Sequence, residues 1–378
     1  MQTLVVSDLH LGRAGGDDVL QRAVARGTLI ARLRGVDRLV LLGDTVELRH
    51  GPARDALARA EPVLRELGGA MAGPGRSIVV VPGNHDHELL GEWHAERARE
   101  GAAPLELEHR VAPQDASWIA RRVAAALAPA DVEFAYPGLW LRDDVYALHG
   151  HYLDVHSTIP TFERLAAGVT SRVAGPVPER AVPDDYERVL APNYAWSHAI
   201  AQRAAPEKSA AGAGSGVRVY QMLAGDGHRP ISHRVLARLF PLAVAAVNRA
   251  GLGPVRADIS GPAMRTAVLT GLGEAVSRLD IRAAHVIFGH SHRAGPLPGD
   301  DETEWRTGAT SLVNTGSWVY EGHFVHGPDG ASPYWAGGAV AVDTDSHVPP
   351  RLERLLADVP RDVLRPAGFD DTVDGTLM

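Results

Sequence analysis

Five runs of apolar, largely β-branched residues recur along the chain, and each ends on a short polar cluster. Leu4-Val5-Val6 leads to Asp8-Leu9-His10, Leu39-Val40-Leu41-Leu42 to Gly43-Asp44, and Ile78-Val79-Val80-Val81 to Gly83-Asn84-His85-Asp86. Val145-Tyr146-Ala147-Leu148 leads to His149-Gly150-His151, and Val286-Ile287-Phe288 to Gly289-His290-Ser291-His292. Runs of this length and composition predict strands. Between the first three, the spacing turns helical. It predicts a helix over Asp17–Leu33 capped by Asp17 or Asp18, and a second over Ala53–Leu67 that stops at Gly68-Gly69. A third is predicted over Glu88–Arg99. A β-α-β-α-β order predicts a parallel core. Leu139–Arg142 and Val145–Leu148 flank Asp143-Asp144 as a hairpin, and His285–Phe288, Ser311–Asn314 and Ala339–Val342 read as later strands. Periodicity alone gives the α/β class.

Residues 155–283 differ in character. They are rich in Ala, Arg, Gly and Pro and poor in strand signals. Phe162–Val169, Asp184–Leu190, Tyr194–Arg203, His233–Asn248 and Thr266–Leu279 read as helices, with a flexible linker composition at Ala210–Gly216. The expected organisation is a core of residues 1–154 plus 284–358, a helical cap insertion over 155–283 and a tail over 359–378.

Composition narrows the chemistry. The chain has 378 residues, no cysteine and a formal charge of −8. Disulfides, thiolate metal sites and a cysteine nucleophile are excluded. No basic face is available for nucleic acid, so none is expected as a partner, and a phosphate must be drawn in by local positive charge. The longest mostly apolar segment, Val235–Val247, is broken by Arg238 and Pro241 and is too short for a membrane span. Met1-Gln2-Thr3 runs straight into the first strand, which leaves no room for a signal peptide, and a cytoplasmic location is expected. Oligomeric state is not legible.

Strand ends at one edge of a sheet converge, which is where open α/β sheets place their sites. The polar set collected there is two carboxylates, one amide and four or five imidazoles, without sulfur. That donor set suits two borderline divalent ions. A lone Asp at a strand end is more often a turn residue, and a lone His more often surface. Their value lies in the ordered set.

The series Asp8-x-His10, Gly43-Asp44, Gly83-Asn84-His85-Asp86, His149, Gly289-His290-x-His292 resembles the calcineurin-like metallophosphoesterase superfamily. The resemblance covers about residues 1–150 and 284–345. It implies two packed mixed β-sheets flanked by helices, and two divalent ions: Mn, Fe, Zn or Co, with Mn favoured. Asp44 would bridge them. Asp8, His10 and His292 would complete one, and Asn84, His149 and His290 the other. The implied reaction is hydrolysis of a phosphomonoester, phosphodiester or diphosphate of a small molecule by a metal-bridging hydroxide. His85 is the implied catalytic side chain, an imidazolium acting on the leaving oxygen. Asp86 is paired with it, either orienting its ring or capping the following helix.

Further candidates lie beside this set. His151, where some relatives carry an acidic residue, and Arg49-His50, which could bind a second phosphate, are candidate substrate contacts, with a salt bridge from Arg49-His50 to Glu47 or Asp55 as the plain alternative. Asp154 and His156 could also reach substrate. Tyr186, Tyr194, Trp196 and Leu236–Val247 could line a lipid or nucleoside pocket or pack the cap. Asn314-Thr315-Gly316-Ser317-Trp318 resembles the turn that closes the core in relatives. Asp8-Leu9-His10-Leu11 is also similar to UDP-2,3-diacylglucosamine pyrophosphohydrolases, although His85 stands where those carry Arg. A non-catalytic scaffold of the same fold would tend to lose the ligands or His85, and this chain keeps them.

Overall fold

A computed structural model describes residues 1–203 and 231–366, with side chains from 239 onward in the second stretch. Within it, eleven strands form one continuous ladder. β1 (Gln2–Val6), β2 (Arg38–Leu42) and β3 (Ser77–Val81) run parallel, and β5 (Asp131–Arg142) joins β3 in the same sense. β10 (Gly338–Asp343) and β11 (Arg351–Arg354) extend this half antiparallel beyond β1, and β4 (Glu108–Val111) pairs antiparallel with β5. β6 (Val145–Leu148) returns along the far end of β5. β7 (His285–Phe288) and β9 (Thr310–Asn314) follow in parallel, and β8 (Arg306–Thr307) lies at the edge. The helices are α1 (Ala23–Leu33), α2 (Ala53–Ala70), α3 (Gly91–Glu100), α4 (Trp118–Leu127), α5 (Phe162–Ala174), α6 (Pro183–Ala201), α7 (Ile231–Arg249), α8 (Gly261–Arg278) and the short α9 (Arg361–Leu364).

β5 is shared by both halves of the ladder. Residues 131–134 pair with β3 and residues 138–142 with β6. The two-residue period of the strands then assigns each layer. Leu4, Val6, Leu39, Leu41, Ile78 and Val80 face α1, α2 and α4. Their neighbours Val5, Val40, Leu42, Val79 and Val81 meet Leu139, Val145, Ala147, Ile287 and Val313 in a central apolar layer drawn from both halves. Tyr146, Leu148, Val286, Phe288 and Leu312 face outward against α6 and α8. The result is four layers, helix–sheet–sheet–helix, in agreement with the two packed mixed sheets expected. Each fully buried aliphatic side chain contributes about 1.5–3 kcal/mol.

The segment between β6 and β7 is helical throughout its described residues, but it does not rest on a finished core. Tyr186, Val189, Leu190, Leu269, Leu272 and Val276 share one apolar cluster with the strands. A buried carboxylate fastens it. Glu187 of α6 accepts hydrogen bonds from Tyr136 of β5, from Tyr152 Oη (2.7 Å) and from His87 Nε2 (2.8 Å). Tyr186 and Tyr194 are core residues here, whereas Trp196 is exposed and lies against Phe162. Leu239 and Leu242 are exposed. The proposed linker Ala210–Gly216 lies outside the described residues. Of the tail, Leu364 is fully buried.

Several boundaries differ from expectation for local reasons. α1 begins at Ala23, after a 3₁₀ turn over Val19–Gln21, because the Asp18 side chain accepts from Gly12 N and Gln21 Nε2 instead of capping the helix. Burial pushes the Asp18 pKa up to about 6. The helix predicted over Glu88–Arg99 is a 3₁₀ turn at His87–Leu90 followed by α3. The two predicted helices at Asp184–Leu190 and Tyr194–Arg203 are one, α6, running through Pro192. α2 continues past Gly68-Gly69 to Ala70. Gly68 is there for closeness: a Cβ would lie 2.0 Å from Leu127 O of α4. Gly68→Ala is therefore expected to destabilise the fold by about 1–3 kcal/mol through overpacking, although alanine favours helix. Denaturant midpoints beside the exposed control Gly69→Ala will check this.

Candidate metal centre

Five strand ends deliver the donor side chains, and their backbone is unusual. Asp8, His10, Asp44, His290 and His292 all have left-handed φ, between 44° and 67°. Among described non-glycine residues only Asp280 joins them. Such conformations cost an L-residue roughly 1–2 kcal/mol each. Outliers clustered in this way point to a functional site. The turns are held by paired backbone. Asp8 N, His10 N and Leu11 N donate to Gly43, Asp44 and Thr45 carbonyls at 3.1, 2.8 and 3.0 Å, and Glu47 N returns to Leu11 O. The polar turns after β1 and β2 thus run side by side. Asn314 clamps the turn after β7, donating to Gly289 O and Ser291 Oγ, and in this sense closes the core as expected.

Each of the four imidazoles has one nitrogen committed to an acceptor. His149 Nδ1 donates to Leu42 O at 3.0 Å, and His10 Nδ1 to Glu47 Oε2 at 3.0 Å. His292 Nδ1 donates to Glu321 Oε2 at 2.9 Å, and His290 Nε2 lies 3.1 Å from both Asp154 oxygens. These contacts fix the tautomers and leave a lone pair on each remaining nitrogen. Those lone pairs converge. His10 Nε2 faces His292 Nε2 at 3.2 Å, and the latter lies 3.3 Å from Asp8 Oδ1, a buried oxygen without a hydrogen bond. His149 Nε2 faces Asp44 Oδ2 at 3.4 Å and Asn84 Oδ1 at 3.2 Å, and His290 Nδ1 faces the same Asn84 oxygen at 3.1 Å. Asp44 Oδ2 is also 3.6 Å from His10 Nε2, so it stands between the two groups.

Acceptor facing acceptor at these distances repels unless positive charge intervenes. The protonation preferences report the same demand. Although burial lowers it, the Asp44 carboxylate raises the His149 pKa to about 9, and Glu321 with Asp8 raises that of His292 well above its usual range despite burial. Asp8, His10, His292 and Asp44, His149, His290 are two of the four triads among the described residues whose donor atoms lie close enough to hold an ion; the others, His10, Glu47, His85 and His87, His94, Glu187, each contain a carboxylate already hydrogen-bonded to histidine. The donor chemistry fits a divalent cation in each of the first two.

The remaining sequence candidates separate. Asp86 neither orients His85 nor caps a helix. Its carboxylate accepts from the backbone N–H of Gly83, Asp44, Thr45 and Val46 at 2.7–3.3 Å, and so ties the turn after β3 to the turn after β2. Burial and the Asp44 carboxylate push its pKa up to about 7, while these donors pull the other way. The residue that orients His85 is Glu47, whose two oxygens lie 3.0 Å from Nδ1. Burial lowers the His85 pKa to about 4, outweighing the Glu47 and Asp44 carboxylates. Asp154 orients His290 and is not a free substrate contact. His156 is bonded to Tyr186 Oη at 2.9 Å.

His151 is buried against His149 and Tyr194, with neither ring nitrogen hydrogen-bonded. Arg49 reaches not Asp55 but the helical segment, pairing with Glu163 at 3.1 Å, while its Nη1 is buried without a partner. His50 lies 3.0 Å from Glu47. Sequence reasoning missed two carboxylates as site residues, Glu47 and Glu321. Glu47 carried a faint signal in its place three residues after Asp44. Glu321 carried none.

Asp86→Asn keeps one acceptor oxygen where four donors converge. It is expected to lower the stability of chelator-treated protein by about 1–3 kcal/mol. Urea midpoints measure this. Unchanged stability with lost turnover would instead make Asp86 a reacting group.

Comparison with known proteins places this geometry. Residues 1–172 match the calcineurin-like phosphoesterase family. No curated protein matches. A solved structure, the cold-active protein-tyrosine phosphatase of a psychrophile Shewanella sp., is 13% identical over 91% of this chain and 76% of that one, with a TM-score of 0.28. The family match spans four of the five polar clusters, and the fifth, His290 with His292, lies in the same site; residues 1–172 are a calcineurin-like phosphoesterase segment.

Proposed function

We propose that the protein is a dinuclear metal-dependent phosphoesterase that hydrolyses a phosphoric ester or diphosphate of a small molecule. The observation that carries this is the convergence of imidazole nitrogens and carboxylate oxygens on two neighbouring points, with Asp44 between them. Asp8, His10 and His292 hold one ion in this reading, and Asn84, His149 and His290 the other. Their nitrogen and oxygen donors accept Mn, Fe, Zn or Co. Such ions, when bound, lower the pKa of coordinated water towards about 7 and neutralise charge on phosphoryl oxygens.

The chain's own groups do the rest. Glu47 fixes His85 with Nδ1–H inward and Nε2 open to the site. A bound phosphate dianion raises the proton affinity of that nitrogen, so His85 can hold a proton against the leaving oxygen once substrate is present. Arg49 Nη1 and Tyr194 Oη are buried donors without partners, and the buried His151 ring, neither nitrogen of which is hydrogen-bonded, adds one N–H. We assign them to the substrate phosphate, a use that would satisfy atoms otherwise costly to bury. Glu163 and the Ser197 hydroxyl hold the opposite edge of the guanidinium.

Metal analysis and hydrolysis of bis-p-nitrophenyl phosphate, p-nitrophenyl phosphate and a UDP-sugar test this. Asp44→Ala is expected to lose metal and turnover together. His85→Ala should keep both ions and lose about 10²–10⁴-fold in kcat. Full activity of His85→Ala on a poor leaving group removes its assigned role. Arg49→Met should raise KM for the monoester dianion more than for the diester, and equal effects would take Arg49 off the phosphate.

A further inference from the structure

A cavity of about 170 Å³ opens beside the metal centre, with His290 and Asp154 in its wall. Its other walls come from two sources. Leu153, Phe288 and Trp305 belong to the sheet side, and Met264, Val268 and Leu269 to α8. The lining is predominantly apolar. Two arginines reach it, but neither is free to take an anion. Arg293 is tied to Asp300 at 2.6 and 3.1 Å and lies over the Trp305 ring, and Arg265 is tied to Glu304 at 2.7 Å. Ser157, Thr161 and Ser291 also line it, and the indole N–H of Trp305 is buried without a partner.

We propose that this cavity receives an apolar group of the substrate about the size of a single six-membered ring, attached to the phosphoryl group held at the metals. The inference rests on the phosphoesterase reading and narrows it to phosphoric esters of small aryl or cycloalkyl alcohols. Volume decides among apolar occupants. A cavity of about 150 Å³ holds benzene, whereas drug-sized ligands fill roughly 300–1,000 Å³. The enclosed volume matches one ring more closely than a nucleoside or a pair of acyl chains, and the mainly apolar lining favours a ring over a polar alcohol. Adjacency to the candidate metal centre makes the occupant part of the substrate: His290 faces Asn84 through Nδ1 and also lines the cavity. The N–H of Trp305 suits one acceptor atom on the ring.

Two measurements on the full chain test it. The first is binding of 4-fluorophenol, which carries no phosphate, followed by ¹⁹F NMR with zinc added. Saturable binding is expected, and Val268→Trp should abolish it; Val268 is half-buried, so the larger ring fills the cavity without entering the core. Met264→Trp serves as a second blocking variant. Absence of saturable binding to the wild type overturns the cavity assignment. The second compares kcat/KM for phenyl phosphate and glycerol phosphate. Blocking should lower the first by roughly 10–100-fold, the transfer free energy of one ring, and leave the second within about twofold. Equal losses, or none, overturn the link to substrate. Fluorophenol binding that persists while no ester is hydrolysed sinks the phosphoesterase reading and upholds the apolar site.

Discussion

Lone pairs turned toward one another hold the key to this fold. Carboxylate, amide and imidazole acceptors converge on two points from five strand ends, and every imidazole is locked by a hydrogen bond from its far nitrogen. The repulsion calls for positive charge, and the raised pKa values of His149 and His292 express that demand. The left-handed turns at Asp8, His10, Asp44, His290 and His292 add to the cost. The compensation lies in the sheet behind them, where flat runs of Val, Leu and Ile are buried on both faces and leave the turns no room to relax.

The carboxylates around the centre divide into two kinds. Asp8 and Asp44 face the converging nitrogens. Glu47, Asp154 and Glu321 stand one step back and set the tautomer of a histidine, while Asp86 collects backbone N–H groups. The outer set is as buried as the inner one in the case of Glu47, which serves His10 and His85 together and lies within reach of His50. A buried anion with that many imidazole neighbours stays ionised even though burial opposes it.

Much of this was legible in the sequence, and the limits have physical reasons. Apolar runs ending in Asp, Asn or His are local signals, so the strands and the seven donors were readable. Gly68 misled, because glycine serves close helix contact as well as helix termination, and only the partner helix α4 distinguishes them. Asp86 misled because a short acceptor beside a turn suits several donors, and which ones are near depends on the neighbouring strand. Glu321 was invisible: its partner His292 is joined to it by the turn after β9, not by any periodicity. The helical segment hid its main property for the same reason. Its helices were found, but that α6 and α8 form the fourth layer depends on long-range packing.

The position of β7 in the chain has a temporal consequence. His290 and His292 are encoded long after His149, with the whole helical segment in between. A ribosome that has released only residues 1–150 has made Asp8, His10, Asp44, Asn84 and His149 but neither closing imidazole. The proposed ion capture would therefore wait until residues 290–292 have emerged, and the nascent chain would be spared a premature, half-built chelate.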